Sequence, residues 1–422
     1  MSLHAEFINA AVWHGPLTKA NAILAEHPEI AGSDIYTAAL LGDDAAVRNF
    51  IAADPASATA KGGPRGWDAL TYLCFSKYLR LDPARSDTFV RTAMALLDAG
   101  ASANTGFFDP SHQPNPERES VLYAAAGVAF HEGVTRLLLA RGADPNDEET
   151  PYHAPETYNL GALKALLESG KLNADSLSTL LLRKADWHHF EGIKLLLESG
   201  ADPNRTTHWG HTALQQALRR DNALKIIALL LDHGATPDVA LAAREGRSDV
   251  LQLLEQRGIP IELHGVDGLI ADCACGIAGK PEPALVAELL TMGGTLLAKF
   301  CGTGNPAGVR QLLDLGVPVD TPYTEGDGYW GIPKNALAIQ VAAWRAQHDV
   351  VKLLLEWGSP TDAPGPSPLA LAVRACVDSY WTEMRSPESV RALLAAGAKI
   401  RDVKYPSGYA EVDELLKPHL VG

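Results

Sequence analysis

Leu138–Asn146 reads LLARGADPN and Leu196–Asn204 reads LLESGADPN. In both, paired leucines give a helix an apolar flank. The glycine that follows takes the left-handed conformation that ends a helix without a Cβ penalty. Asp-Pro-Asn then reverses the chain, because proline fixes one dihedral and Asp or Asn bonds its own backbone.

The same signature recurs with its glycine at Gly100, Gly142, Gly170, Gly200, Gly234, Gly258, Gly293, Gly316, Gly358 and Gly397. The intervals are 42, 28, 30, 34, 24, 35, 23, 42 and 39 residues, scattered around thirty-odd. Related turns follow several of the glycines: ATPD at Ala235–Asp238, VPVD at Val317–Asp320 and SPTD at Ser359–Asp362. Upstream of the leucines lies a shorter, alanine-rich helix, as at Tyr123–Ala126, Ala213–Leu218, Ala240–Ala243 and Ile339–Ala343, where small side chains let neighbouring helices approach.

Turn, small-residue helix, leucine helix and glycine stop together resemble the ankyrin repeat family, whose repeat is about 33 residues with a TPLHxA-like start. The nearest matches to that start are TPYHA at Thr150–Ala154 and, more loosely, HTALQQA at His211–Ala217. The resemblance implies an all-α solenoid of about twelve helix-turn-helix repeats with β-turn or hairpin tips, expected as one continuous curved superhelix. Residues 1–33 read as an N-terminal cap, 34–402 as internal repeats and 403–422 as a C-terminal cap, since Leu3–Ile30 and Tyr409–Leu420 depart from the pattern as ends facing water should.

Composition narrows function. With 46% hydrophobic and 21% charged residues the 422-residue chain has ample material for a core. A formal net charge of −15 and the lack of any Lys/Arg run argue against nucleic-acid binding and for a basic or mixed-charge partner. No leader or membrane-spanning stretch is apparent, so the expectation is a cytoplasmic protein; the bias toward Ala, Leu and Gly suits a bacterial source. Five cysteines are an odd count. Cys273, Cys275 and Cys301 read as buried thiols rather than metal ligands, and no metal or cofactor motif is present.

Information about function lies where the array breaks its own pattern. Insertions fall at 77–87, 105–117, 321–334 and 378–387. Two of these loops set aromatics beside acids: Phe107, Phe108 and Asp109 in one, Glu325, Asp327, Tyr329 and Trp330 in the other. Such tips either grip a peptide or sugar ring, or fold down on their own hydrophobic anchors. Arg205–His211 (RTTHWGH) adds His208 and Trp209 at a turn expected on the same concave side.

Aligning the inner helices places Glu156 and Asp186 where other repeats carry Ala126, Leu218, Ala243, Ala274 and Ala343. A carboxylate at a packed position needs a partner. His153 precedes Glu156 by one turn, while Arg183, Trp187, His188 and His189 surround Asp186. They form either a satisfied structural network or a polar pocket. In a pocket, repeats stacked about 10 Å apart would set the two carboxylates near the separation of an inverting glycosidase. The leading expectation is a non-catalytic scaffold holding a protein or peptide on its concave face. The alternative is a small-molecule or saccharide site with Glu156 and Asp186 as acid and base.

Overall fold

The computed structural model describes residues 2–111 and 113–420. Short helices and leucine helices alternate along all of it. Phe190–Glu198 shows why a leucine helix forms: Ile193, Leu196 and Leu197 fall on one flank and are buried, while Lys194 and Glu198 stay exposed on the other. Burial of a leucine such as Leu196 contributes roughly 2 kcal/mol. Its truncation to alanine would cost about 2–5 kcal/mol once the cavity is counted.

The short helices begin at side-chain caps. Asp34, Asp68, Ser120, Asn173, Thr212 and Ser367 each accept a hydrogen bond from the backbone N–H three residues on, and Gln215 closes the reciprocal half of a capping box with Thr212. Each such cap is worth about 1 kcal/mol. At their other ends, carbonyls left without helical partners are met by a polar side chain from the next repeat. Ser76 donates to Leu40 O (2.6 Å), Asn222 to Ala185 O (2.9 Å), Asn305 to Ala274 O (2.7 Å) and Gln347 to Gly302 O (3.2 Å).

Nine of the ten expected glycine stops are left-handed, with φ between +65° at Gly170 and +99° at Gly100. Gly293 is not. Its leucine helix, Pro283–Thr291, runs through Met292 directly into the helix Gly293–Gly302 at a bend of 74°. The glycines there serve close packing instead: a Cβ on Gly294 would sit 2.2 Å from Pro322 O.

The contacts divide the chain after Thr236. Among the described residues the part up to Thr236 contains seven helix pairs, from Leu3–Ala11 with Thr18–Glu26 to Ala213–Arg219 with Leu224–Asp232. The part from Pro237 contains five, from Val239–Arg244 with Ser248–Gln256 to Pro368–Asp378 with Glu388–Ala395, and a final helix Ala410–Leu420. In both, inner helix packs mainly on inner helix and leucine helix on leucine helix, except that the inner helix Gly265–Ala274 packs on the leucine helix Pro306–Asp314. The architecture is an all-α array of stacked helix pairs. No single helix among the described residues is long and apolar enough to cross a membrane.

In the first part, three turn tips are clasped to their neighbours by asparagine. Asn104 donates to Gly142 O (2.9 Å) and accepts from Asp144 N (2.9 Å). Asn146 does the same with Lys171 O and Asn173 N, and Asn204 with Gly234 O and Thr236 N. The loop 105–117 contributes to a two-stranded sheet, β1 (Gly106–Asp109) antiparallel to β2 (Glu117–Ser120), with Phe107 opposite Glu119 and Asp109 opposite Glu117. The loop 321–334 closes through isolated bridges, Tyr323 to Ala336 and Asp327 to Ile332.

Candidate functional site

The two acidic residues singled out from sequence do meet, through an arginine. Asp186 ends the helix Ala174–Asp186 and is 2% exposed. Glu156 lies outside a helix, because Glu149–His153 stops before Pro155, so its alignment with an inner-helix position does not hold. Arg183 donates from Nη2 to Glu156 Oε1 (2.5 Å) and from Nη1 to Asp186 Oδ2, and its Nε donates to Tyr152 O (3.2 Å). Its guanidinium also covers the Tyr152 ring at 4.1 Å. Asp186 Oδ1 accepts from Gln216 Nε2 (2.6 Å) and Arg220 Nε (2.8 Å). His153 extends the chain, 3.2 Å from both Glu149 and Glu156.

This is a hydrogen-bonded network, the first of the two arrangements expected, and the two carboxylates share one guanidinium instead of flanking a water. Burial opposes the charge on His153, but Glu149 and Glu156 override it and push the imidazole up to about 9. Burial likewise disfavours ionised Glu156, yet His153 and Arg183 hold its pKa below the ordinary value. A group so held is a poor proton donor near neutrality.

Two clefts lie beside this network. One, about 890 Å³, is lined by Glu117, Glu148, Glu149 and Asp175 together with Tyr152, His153, His208 and Trp209. Trp209 is 37% exposed, its ring 5.5 Å from Tyr152 and 3.6 Å from His208. Arg183, Glu156, Asp186, Trp187 and His188 do not line it; Trp187 packs edge-on against Tyr158 at 5.9 Å. The other cleft, about 700 Å³, takes Phe107, Phe108 and Asp109 on one side and Trp13 and Trp67 on another. Strand β1 borders this second cleft and β2 gives Glu117 to the first, so the hairpin stands between them.

The loop 321–334 behaves as a self-anchored loop at its centre. Trp330 is 5% exposed, 5.1 Å from Trp381 and 5.4 Å from Tyr380, with the Arg345 guanidinium over its ring at 5.1 Å. Trp330 is thus the hydrophobic anchor of its loop, the second of the two arrangements open from sequence. Asp327 accepts hydrogen bonds from Tyr329 N and Trp330 N, shaping its own turn. Glu325 and Tyr329 stay exposed.

Several functional-looking groups escaped the sequence reading. Glu119 on β2 is 4% exposed, its Oε2 without a hydrogen-bond partner among the described residues, and burial reinforced by Glu149 and Asp109 pushes it up to about 7. Lys184 is fully buried, donates to Thr157 O (2.5 Å) and faces His189 Nδ1 (3.0 Å), and burial lowers it to about 8. Its only signal is a lysine inside an otherwise buried helix. Cys273 and Cys301 are fully buried, and burial pushes the Cys273 thiol up to about 12. Among the described residues no cluster of three or more His, Cys, Asp or Glu is placed to hold a metal ion.

Comparison with known proteins agrees with the geometry. The family model described as ankyrin repeats (many copies) matches residues 181–231. Cyclin-dependent kinase 4 inhibitor B from Homo sapiens is 34% identical over 88 residues, 18% of this chain and 62% of that protein. The Bos taurus protein of the same name is 33% identical over 88 residues, 18% of this chain and 66% of its own length. The match thus spans less than two thirds of these relatives. A solved ankyrin repeat domain from Acinetobacter baumannii AYE is 22% identical, covering 48% of this chain and 98% of that one, at a TM-score of 0.37. Ankyrin repeats thus match residues 181–231, and the stacked helix pairs on either side have the same all-α repeat architecture. Ankyrin repeats in general present extended surfaces for binding other proteins.

Proposed function

We propose that this chain is a binding scaffold that holds a basic segment of a protein partner in the 890 Å³ cleft. The observation that carries the reading is the lining: Glu117, Glu148, Glu149 and Asp175 supply negative charge, while Tyr152 and Trp209 supply aromatic faces. A Lys or Arg side chain entering there would gain carboxylate contacts and a cation–π contact worth about 0.5–2 kcal/mol. Recognition by turn tips is the use that a rigid repeat scaffold offers most directly, since loops at the tips vary without disturbing the stack. Acid/base chemistry by Glu156 and Asp186 is not part of the proposal, because Arg183 occupies both carboxylates.

The test is a fluorescence-anisotropy screen of the full chain against Arg/Lys-containing peptides and charge-reversed counterparts at two salt concentrations. Basic peptides should bind, and binding should weaken as salt rises. Trp209→Ala and Glu148→Gln should each weaken it, the tryptophan by about tenfold or more as a central aromatic contact. Equal binding of both peptide sets, or undiminished binding by Trp209→Ala, would overturn the reading.

A further inference from the structure

The 700 Å³ cleft has the opposite charge, in a chain whose net charge is −15. Its lining carries the cations Lys61, Arg65 and Lys77 and the imidazole of His14, which burial and the neighbouring Arg80 hold toward its neutral form, against one carboxylate, Asp109. Lys77 is 7% exposed, and the acceptor found for its ammonium is Ala10 O at 2.8 Å. An ammonium carries three donors. The charges acting on it are the guanidiniums of Arg80 and Arg65, which join burial in lowering its pKa. Arg80 meets a carbonyl too, Gly15 O at 3.1 Å, and its Nε is buried with no hydrogen-bond partner among the described residues. Desolvated cations facing one another and carbonyl oxygens cost stability, and a ligand that brings negative charge recovers it.

The rest of the cleft is aromatic. Trp67 and Phe107 stack at 4.3 Å and 20°, Trp13 stacks on Phe75 at 5.0 Å and 6°, and Trp13 lies 5.4 Å from Phe107. Phe108 stands at the rim, 65% exposed. The Trp13 backbone is left-handed, φ +71°, a conformation a bulky residue adopts only when the surrounding structure imposes it. Gly15, φ +93°, closes the turn with its Cβ position 3.7 Å from Lys77 Nζ, so no side chain covers the ammonium there.

We infer that this cleft binds an aryl anion, an aromatic ring bearing phosphate or carboxylate, with the ring against Phe107 and Trp13 and the anion between Lys77 and Arg65. The group could come from a phosphotyrosine side chain of a partner or from a free aryl phosphate. The inference rests on this cleft alone and stands or falls apart from the basic-segment reading of its neighbour.

Calorimetric titration of the full chain with phenyl phosphate, inorganic phosphate, phenol and a phosphotyrosine peptide with its unmodified twin tests it. Phenyl phosphate should bind about tenfold or more tightly than either phosphate or phenol, because only it offers both halves of the site. A phosphotyrosine peptide that binds more tightly still identifies a protein source; one that binds no more tightly than phenyl phosphate identifies a free ligand. Lys77→Met should weaken phenyl phosphate about tenfold or more. Arg65→Gln, at an exposed position where the side chain gives up only a bond to Asn9 and its cover of the Trp67 ring, tests the same site at less cost to the fold. Equal affinity for phenyl phosphate and phosphate, no binding at millimolar concentration, or wild-type affinity in Arg65→Gln would overturn the assignment.

Discussion

Replacing Asp186 with alanine removes a 2%-exposed carboxylate on which Arg183, Arg220 and Gln216 converge. Removing one member of a buried ion pair costs about 3–5 kcal/mol, because the other is left charged and unmatched. Two features place this case at the low end. Arg183 keeps Glu156 and the Tyr152 carbonyl, and the Arg220 side chain is 19% exposed and gains some hydration. The expected loss is therefore about 3 kcal/mol, and since 1.4 kcal/mol is a factor of ten it corresponds to roughly a hundredfold in an opening equilibrium. A long repeat array need not unfold as one unit, so a global melting curve is the wrong readout. Native-state hydrogen exchange in Ala174–Asp186 and Ala213–Arg219 reads the local opening directly. Asp186→Asn should fall between wild type and alanine: its amide oxygen still accepts from Gln216 and Arg220, but its NH2 meets the Arg183 donors. Protection that drops less than about fivefold in Asp186→Ala, or that drops equally from Pro237 onward, would refute the account.

Other perturbations follow from the same geometry. His153 has a folded pKa near 9 against about 6.5 unfolded, so its ion pairs stabilise fully below pH 6.5 and lose their contribution as pH rises through 9. The difference is at most about 3 kcal/mol, and the stability gap between wild type and His153→Gln should narrow accordingly between pH 6 and 9.5. Gly246→Ala should cost several kcal/mol by denaturant titration, since φ is +72° and the new Cβ would lie 2.5 Å from the Phe300 ring; Gly142→Ala, φ +92° with open space, should cost only about 1–2 kcal/mol of backbone strain. Arg345→Leu strips the guanidinium that lies over both Trp330 (5.1 Å) and Trp381 (4.6 Å), and a loss of about 1–3 kcal/mol with a red-shifted tryptophan emission is expected.

The helix stops were legible because one residue type, glycine, does one local job, and Gly293 escaped because there glycine serves close packing, its Cβ position 3.0 Å from Val317. His153 and Arg183 were recognisable as partners of the two acids, being within a turn of them. Gln216 and Arg220 were not, because they arrive from the following repeat. Glu156 was misplaced by one structural category, since Pro155 ends its helix before the aligned position is reached. Whether Trp330 anchors its loop or reaches a ligand stayed open in sequence because its burial depends on Arg345 and Trp381, which lie outside the loop. The basic cleft was invisible for the same reason. Trp13, Arg65, Lys77 and Phe107 are dispersed through an acidic sequence and only stacking assembles them.

The asparagine clasps give the array a chemical clock. Asn104, Asn146 and Asn204 each use the amide nitrogen to donate to a carbonyl of the next turn and the oxygen to accept from an N–H beyond it. Hydrolysis of the amide, with water consumed and ammonia released, would exchange that nitrogen for a negatively charged oxygen, turning one bond of the clasp into a repulsion while leaving the other intact. Such a change at any one of the three should therefore show as loosening between that pair of neighbouring turns, with every helix still in place.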